Sequence, residues 1–277
     1  MLKGGPSLER GTSLRSAARV EGALARLGHE VTPVEVGPDL VRRLSAERPD
    51  VAFVALRGGG GDGTVQELLE ILGIPYTGSS AGVCERCADK AVAKRELRLA
   101  GVATPDWFAF NETAFRELGA AGALEDVEER LGFPLVIKSS RVAAPLGPEV
   151  AASWFEVPAA LVSAFEYDER VLLERLVQGR PQSVALLDGR PLAAVGSAAA
   201  AGLGAYEALG CEGAALVEVI LAEEGPQVIE VDPIPDFGPN GSFPQAAAEA
   251  GLSFGEVVGE SLALARRSPT GRRSRRA

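Results

Sequence analysis

Leu216-Val217-Glu218-Val219-Ile220-Leu221 and Val228-Ile229-Glu230-Val231-Asp232-Pro233 are the two stretches on which the reading of the fold turns. Both are β-branched and apolar, as buried strands are. Glu223-Glu224-Gly225 and Pro226 between them read as a hairpin loop. Each strand nonetheless carries acid: Glu218 on the first, Glu230 and Asp232 on the second. Residues two apart share a face, so Glu230 and Asp232 point the same way. With Glu218 across the ladder from them, three carboxylates converge on one patch. Such a cluster repels itself unless a cation sits in it, and hard Mg²⁺ with phosphate oxygens suits oxygen ligands. A hairpin with a solvated outer face shows the same alternation, and both readings stand at this point.

A chain of 277 residues, 46% of them hydrophobic, can bury a large core in two or three domains. Its 28 Lys and Arg against 38 Asp and Glu leave a formal charge of −10, which argues against general nucleic-acid binding. The one basic run, Arg266 to Arg276, contains Ser, Pro and Gly without periodicity and reads as a disordered tail. No apolar stretch is long enough to span a bilayer and no signal peptide opens the chain, so it reads as cytoplasmic, without a membrane partner. Cys84, Cys87 and Cys211 are too few for a disulfide scaffold. Cys84-Glu85-Arg86-Cys87 has redox or zinc-like spacing, but a four-ligand site would need every Cys and the single histidine, His29. A small-residue turn before a helix is the plainer reading.

In chain order, Met1 to Lys3 leave almost no room for a first strand before Gly4-Gly5-Pro6-Ser7. A helix is expected over Ser13–Leu27, ended by Gly28, then a strand over Val31–Val36 and a short helix over Asp39–Glu47. Val51 to Leu56 is a fully apolar strand, and a helix follows from Thr64 to Leu72. This alternation argues an open parallel α/β layer over residues 1–84. A second unit, 85–170, opens on a helix from Asp89-Lys90 to Ala100 and contains the strand Phe133–Lys138. A third, 171–267, holds the strands Val171–Val177, Ser183–Leu187 and Pro191–Val195, an alanine-rich helix over Ala198–Leu209 and the acidic hairpin. Residues 268–277 are the basic tail. Neither a Walker P-loop nor a G-x-G-x-x-G element is present.

The order of pieces resembles the D-alanine–D-alanine ligases of the ATP-grasp superfamily. Gly4-Gly5-Pro6-Ser7-Leu8-Glu9-Arg10 with Thr12-Ser13-Leu14 is similar to that family's opening motif. Gly61-Asp62-Gly63-Thr64-Val65-Gln66, Gly73-Ile74-Pro75-Tyr76-Thr77-Gly78, Asp89-Lys90, Pro134–Lys138, Val171–Glu174, Leu209–Gly213 and Ile229–Asp232 follow in family order. The resemblance implies an N-terminal α/β domain followed by a two-lobed ATP-grasp fold that clamps ATP. It implies ligation of a carboxylate to an amine through an acyl phosphate, with ATP and Mg²⁺ as cofactors, in peptidoglycan precursor synthesis. By the same resemblance Lys90 and Lys138 reach the phosphates, and Glu174, Arg175 and Leu176 lie on the hinge strand whose edge reads adenine. Glu218, Glu230 and Asp232 match the metal-binding positions, and Glu9 the carboxylate that holds the amino group of the first amino acid. The partners expected are the nucleotide, a D-amino acid and a second copy of the chain in a homodimer.

The departures from the pattern fall on chemistry rather than on core. The family's His after the first-domain strand is Arg57, its glycine-serine-serine loop reads Ala143-Ala144-Pro145, and its ribose-binding Glu falls on Pro181. The arginine that stabilises the tetrahedral intermediate falls on Leu216, and in Asp232-Pro233-Ile234-Pro235-Asp236-Phe237 a family backbone amide donor near the acyl phosphate now belongs to an Asp. Val195-Gly196-Ser197-Ala198 joins a strand almost directly to a helix, where the family places a long lid. Losing one oxyanion donor costs roughly 10²–10³ in rate, and an open site admits water. A catalytically impaired nucleotide-binding paralogue, or a ligase for another amine and carboxylate, is the alternative expectation.

Overall fold

Leu2–Gly4 forms a strand, β1, in a computed structural model that describes residues 1–58, 61–119, 122, 124–141 and 147–265. The strand for which the sequence left almost no room is therefore present. Three residues suffice because they pair on both sides. Leu2 lies opposite Val34 of β2 (Val34–Val36) and is bridged in parallel to Val54. Its N–H donates to Phe53 O, and its own carbonyl accepts from Ala55 N–H. Residues 52–56 run buried through the middle of this layer, with a further parallel bridge from Ala52 to Tyr76. The helices α1 (Arg10–Arg26), α2 (Leu40–Glu47) and α3 (Thr64–Leu72) complete the parallel α/β unit.

Helices α4 (Ala81–Ala88) and α5 (Lys90–Leu99) follow. Cys84 and Cys87 lie on α4 itself, not on a turn, because Ala81, Val83, Cys84 and Cys87 form one buried helical face. Asp89 breaks the two helices apart and caps the second, accepting from the N–H groups of Ala91 and Val92.

The central lobe comprises β3 (Trp107–Asn111), α6 (Glu112–Glu117), α7 (Leu124–Leu131), β4 (Leu135–Ser139), β5 (Glu149–Ala151), α8 (Val157–Phe165) and β6 (Arg170–Arg175). Its antiparallel sheet has the order β3-β6-β4-β5. Strand β6, expected to open the last unit, is thus internal to the central sheet. Its apolar run Val171-Leu172-Leu173 is wholly buried, which needs cover on both faces and neighbours on both edges.

The last third holds β7 (Arg180–Leu187), β8 (Arg190–Leu192), α9 (Gly196–Leu209), β9 (Ala214–Ala222), β10 (Gly225–Asp232), α10 (Ser242–Glu249) and α11 (Phe254–Ala265). Its sheet order is β10-β9-β7-β8, antiparallel throughout. Helix α9 lies close against one face of that sheet: a Cβ on Gly202 would stand 2.6 Å from Val184 Cγ1. Val20 and Leu24 of α1 pack with Phe237, Phe243 and Val257, so the first and last thirds share one core. The loop Ala143-Ala144-Pro145 and the basic tail lie outside the described residues. Among the described residues no helix is long and apolar enough to cross a membrane.

Candidate functional site

The acidic hairpin folds as its pattern asks, with one irregularity that matters. Val228 pairs with Val219 but Glu230 pairs with Glu218, so Ile229 is an extra residue, a β-bulge. The bulge resets the alternation: Val228 and Val231 are both buried although three apart, while Glu230 is delivered directly opposite Glu218. Ser183 of β7, across from Glu218 on its other side, donates to both carboxylate oxygens at 2.9 and 3.0 Å. Burial pushes the Glu218 carboxyl up, against the pull of Ser183, and the charges of Glu230 and Asp232 push it further.

Asp232 does not join that pair. It lies opposite Leu216, and Arg57 donates one Nη to its carboxylate and to Ile234 O at 2.8 Å. The other Nη donates to Glu9 Oε1 at 3.3 Å, while the buried Nε–H has no protein partner. Asp232 above all holds the Arg57 guanidinium firmly charged, and burial raises the Asp232 carboxyl while Arg57 draws it back. Among the described residues no three His, Cys, Asp or Glu side chains are gathered closely enough to hold a metal ion. The expected patch of three carboxylates is therefore a facing pair with a third acid held on an arginine. The reason is tertiary: the end of the buried segment 52–56 delivers a cation 175 residues away in sequence.

Glu9, the Arg57–Asp232 pair, Lys90 and Glu230 all line one cleft of about 360 Å³. Gly58 is required where this wall turns, since its φ is +62° and a Cβ would collide with the Ser7 hydroxyl. Lys90 opens α5, with its N–H on Ser140 O at 2.9 Å and its Nζ 3.3 Å from Glu230 Oε1. Asp89 pins this corner by accepting from the Ser140 hydroxyl at 2.8 Å, and Arg141 and Arg170 lie against its other oxygen.

Lys138 lies elsewhere. Its Nζ is 3.1 Å from Glu174 Oε2, which also meets Lys94 Nζ at 3.0 Å. Lys94 is 1% exposed and donates to Thr104 Oγ1 and Pro105 O. Burial lowers its ammonium to about 8, with Glu174 opposing and Lys138 reinforcing the shift. Two buried lysines against one glutamate leave a net positive charge, which an anion such as a phosphate would satisfy. The sequence reading missed Lys94, although its position gave a sign: it falls on the buried stripe of α5 with Ala91 and Leu97. Ser183 had no sign of its own.

Part of the hinge backbone is already engaged. Glu174 is paired on both sides, to Trp107 and to Val136, so β6 has no free edge there. The N–H of Arg175 donates to Asp106 O and that of Leu176 to Pro134 O, and the Arg175 side chain is turned outward to Glu224. These two N–H groups are therefore not available to a base. The thiols form no zinc site with His29: Cys87 Sγ is 4.0 Å from Cys211 Sγ, while His29 lines a separate pocket beside Met1.

Two segments bear on closure. Ile234 and Phe237 are buried, Asp236 is held by Ser16, and Arg19 donates to the carbonyls of Phe237 and Gly238, so residues 234–238 pack inward rather than over the cleft. Only residues 193–195 separate β8 from α9, as the sequence anticipated.

A family model described as the D-ala D-ala ligase C-terminus matches residues 97–200 and 193–262. The two matched stretches meet at 193–200, the β8–α9 junction. The D-alanine–D-alanine ligase of Syntrophotalea carbinolica is 33% identical, covering 95% of this chain and 94% of its own length. That alignment runs over 297 positions, more than the 277 residues available, so the relative carries segments that this chain lacks. The crystal structure of D-alanine–D-alanine ligase from Bacillus anthracis matches with a TM-score of 0.88 at 26% identity, covering 96% of each chain. The enzyme from that organism complexed with ATP matches at 0.84 and 28%, again over 96% of each. The chain belongs to the D-alanine–D-alanine ligase family, and its two antiparallel sheets are the two lobes of an ATP-grasp fold.

Proposed function

We propose that the protein joins two D-alanine molecules using ATP and Mg²⁺, supplying the peptidoglycan precursor in the cytoplasm. The observation that carries the reading is the placing of Glu230 directly across from Glu218 and 3.3 Å from Lys90. This sets a carboxylate pair for a hard cation beside an ammonium for phosphate. Glu9, which lines the same cleft, accepts the ammonium of the first D-alanine. Lys138, with Lys94 and Glu174 behind it, takes phosphate oxygens. The carboxylate of that first amino acid accepts the γ-phosphoryl group of ATP, releasing ADP, and the amine of the second, its ammonium proton lost, attacks the acyl phosphate, expelling inorganic phosphate. Glu218 and Glu230 fit Mg²⁺ by the chemistry of their donors: two facing oxygen ligands whose mutual repulsion a cation removes. When bound, the ion neutralises phosphate charge as transfer proceeds. The protein acts as a homodimer in this reading.

The test is phosphate release with ATP and Mg²⁺, with and without D-alanine, alongside chromatography for D-alanyl-D-alanine. Phosphate release that requires D-alanine and matches dipeptide formed is the expected result. A second reading is favoured by the direct β8–α9 connection and by the apolar Leu216: water reaches the acyl phosphate and the product is phosphate alone. D-alanine-stimulated phosphate release without dipeptide would select it, and no stimulation by D-alanine would reject ligation.

A further inference from the structure

The acids and bases that meet at the hairpin do not balance. Glu9, Glu218, Glu230 and Asp232 bring four negative charges; Arg57 and Lys90 return two. The imbalance is local to one part. Asp232 is neutralised by Arg57, which also binds Ile234 O and so is fixed at three points with Glu9. Glu218 has only the Ser183 hydroxyl, and Glu230 is shared with Lys90.

We propose that Arg57 is a built-in cation of this site: it fills the position at Asp232 that a metal ion would otherwise take, so that the hairpin binds a single divalent ion, at Glu218 and Glu230. The inference rests on the ligase reading, in which Mg²⁺ and ATP occupy the hairpin together. A guanidinium suits the task. It stays charged at any working pH, its planar fork meets a carboxylate and a carbonyl at once, and it is more weakly hydrated than an ammonium. A divalent ion at Asp232 would have to displace it, leaving a largely buried arginine with only Glu9, at 3.3 Å, as its counter-charge, which is costly. Asp232 is then a positioning residue: it holds Arg57 against the cleft wall, and through it Glu9.

Metal counting tests this directly. Mn²⁺ is titrated into the full-length protein saturated with a non-hydrolysable ATP analogue, and bound ion is read by electron paramagnetic resonance. One Mn²⁺ per chain is expected. Glu230→Gln weakens Mn²⁺ binding by about tenfold or more, whereas Asp232→Asn changes it by less than about twofold. Arg57→Ala, which frees Asp232, raises the count to two, and Arg57→Lys, which restores a cation, returns it to one. Should Arg57→Ala not fold, the contrast between Glu230→Gln and Asp232→Asn decides alone. Two ions in the unaltered protein, or equal losses in the two acid variants, would overturn the built-in cation and leave the ligase reading standing. No Mn²⁺ bound at all would overturn both.

Discussion

The two charged clusters of this protein are built on opposite plans. Lys94, Glu174 and Lys138 come from α5, β6 and β4, lie almost wholly out of water and carry a net positive charge. Glu218, Glu230 and Asp232 come from one hairpin, are partly open to solvent and carry a net negative charge that Arg57 and Lys90 offset from elsewhere. The first cluster is a brace that is also short of an anion; the second is a cradle that is short of a cation. In the proposed reading a metal–nucleotide complex would answer both wants with one molecule, the lysines taking phosphate and the glutamates the metal. Burial sets the difference in cost: a wrong charge in the first cluster is paid in stability, in the second mainly in ligand affinity.

The largest effect should come from Glu174→Ala, which strands two buried lysines and is expected to destabilise by about 3–5 kcal/mol in denaturant unfolding. A loss below about 1 kcal/mol would mean the first cluster braces nothing. Next in size is ligand binding. Lys138→Ala and Glu230→Gln should each weaken nucleotide binding in calorimetry by about tenfold, or roughly 1.4 kcal/mol, with Glu230→Gln acting in the presence of Mg²⁺ and little in its absence. Unchanged affinity in both would dissolve the contrast between an anion side and a cation side.

A smaller, pH-dependent effect follows from Lys94. Its ammonium sits at about 8 against an ordinary 10.5, so between those values the unfolded chain holds a proton that the folded chain has released. Stability gained from this group therefore rises with pH across that window. A bound phosphate favours the charged form, so nucleotide binding takes up a proton near pH 8 and weakens above it. Calorimetry in buffers of different ionisation enthalpy counts that proton; none taken up would leave Lys94 a brace without a ligand.

The smallest effect concerns Glu218. Because burial raises its carboxyl above the ordinary Glu value of 4.5, ionising Glu218 in the folded protein costs stability. Glu218→Gln, which still accepts from Ser183, should raise the thermal unfolding midpoint of the metal-free protein slightly and weaken Mg²⁺ binding. Destabilisation without metal would show that the Ser183 contact outweighs the burial of charge.

Local pattern carried a large part of this protein. Alternation identified the hairpin and put Glu218, Glu230 and Asp232 on one parity; the Asp-Lys step marked the start of α5; Val195-Gly196 showed that no long segment separates β8 from α9. These features are legible because strand and helix periods and caps depend on residues a few positions apart. What those residues do to one another was decided only in three dimensions. Strand β1 exists because Leu2 finds Val34 and Val54. The bulge at Ile229 chooses which acid faces Glu218, and β6 is an inner strand because β3 and β4 take both its edges. Arg57 meets Asp232 across 175 residues, and Lys94 meets Glu174 across a helix–strand contact. No period in the sequence encodes an ion pair between distant elements; it forms where packing brings desolvated charges together, as it brings Arg57 to Asp232 while Glu218 faces another acid.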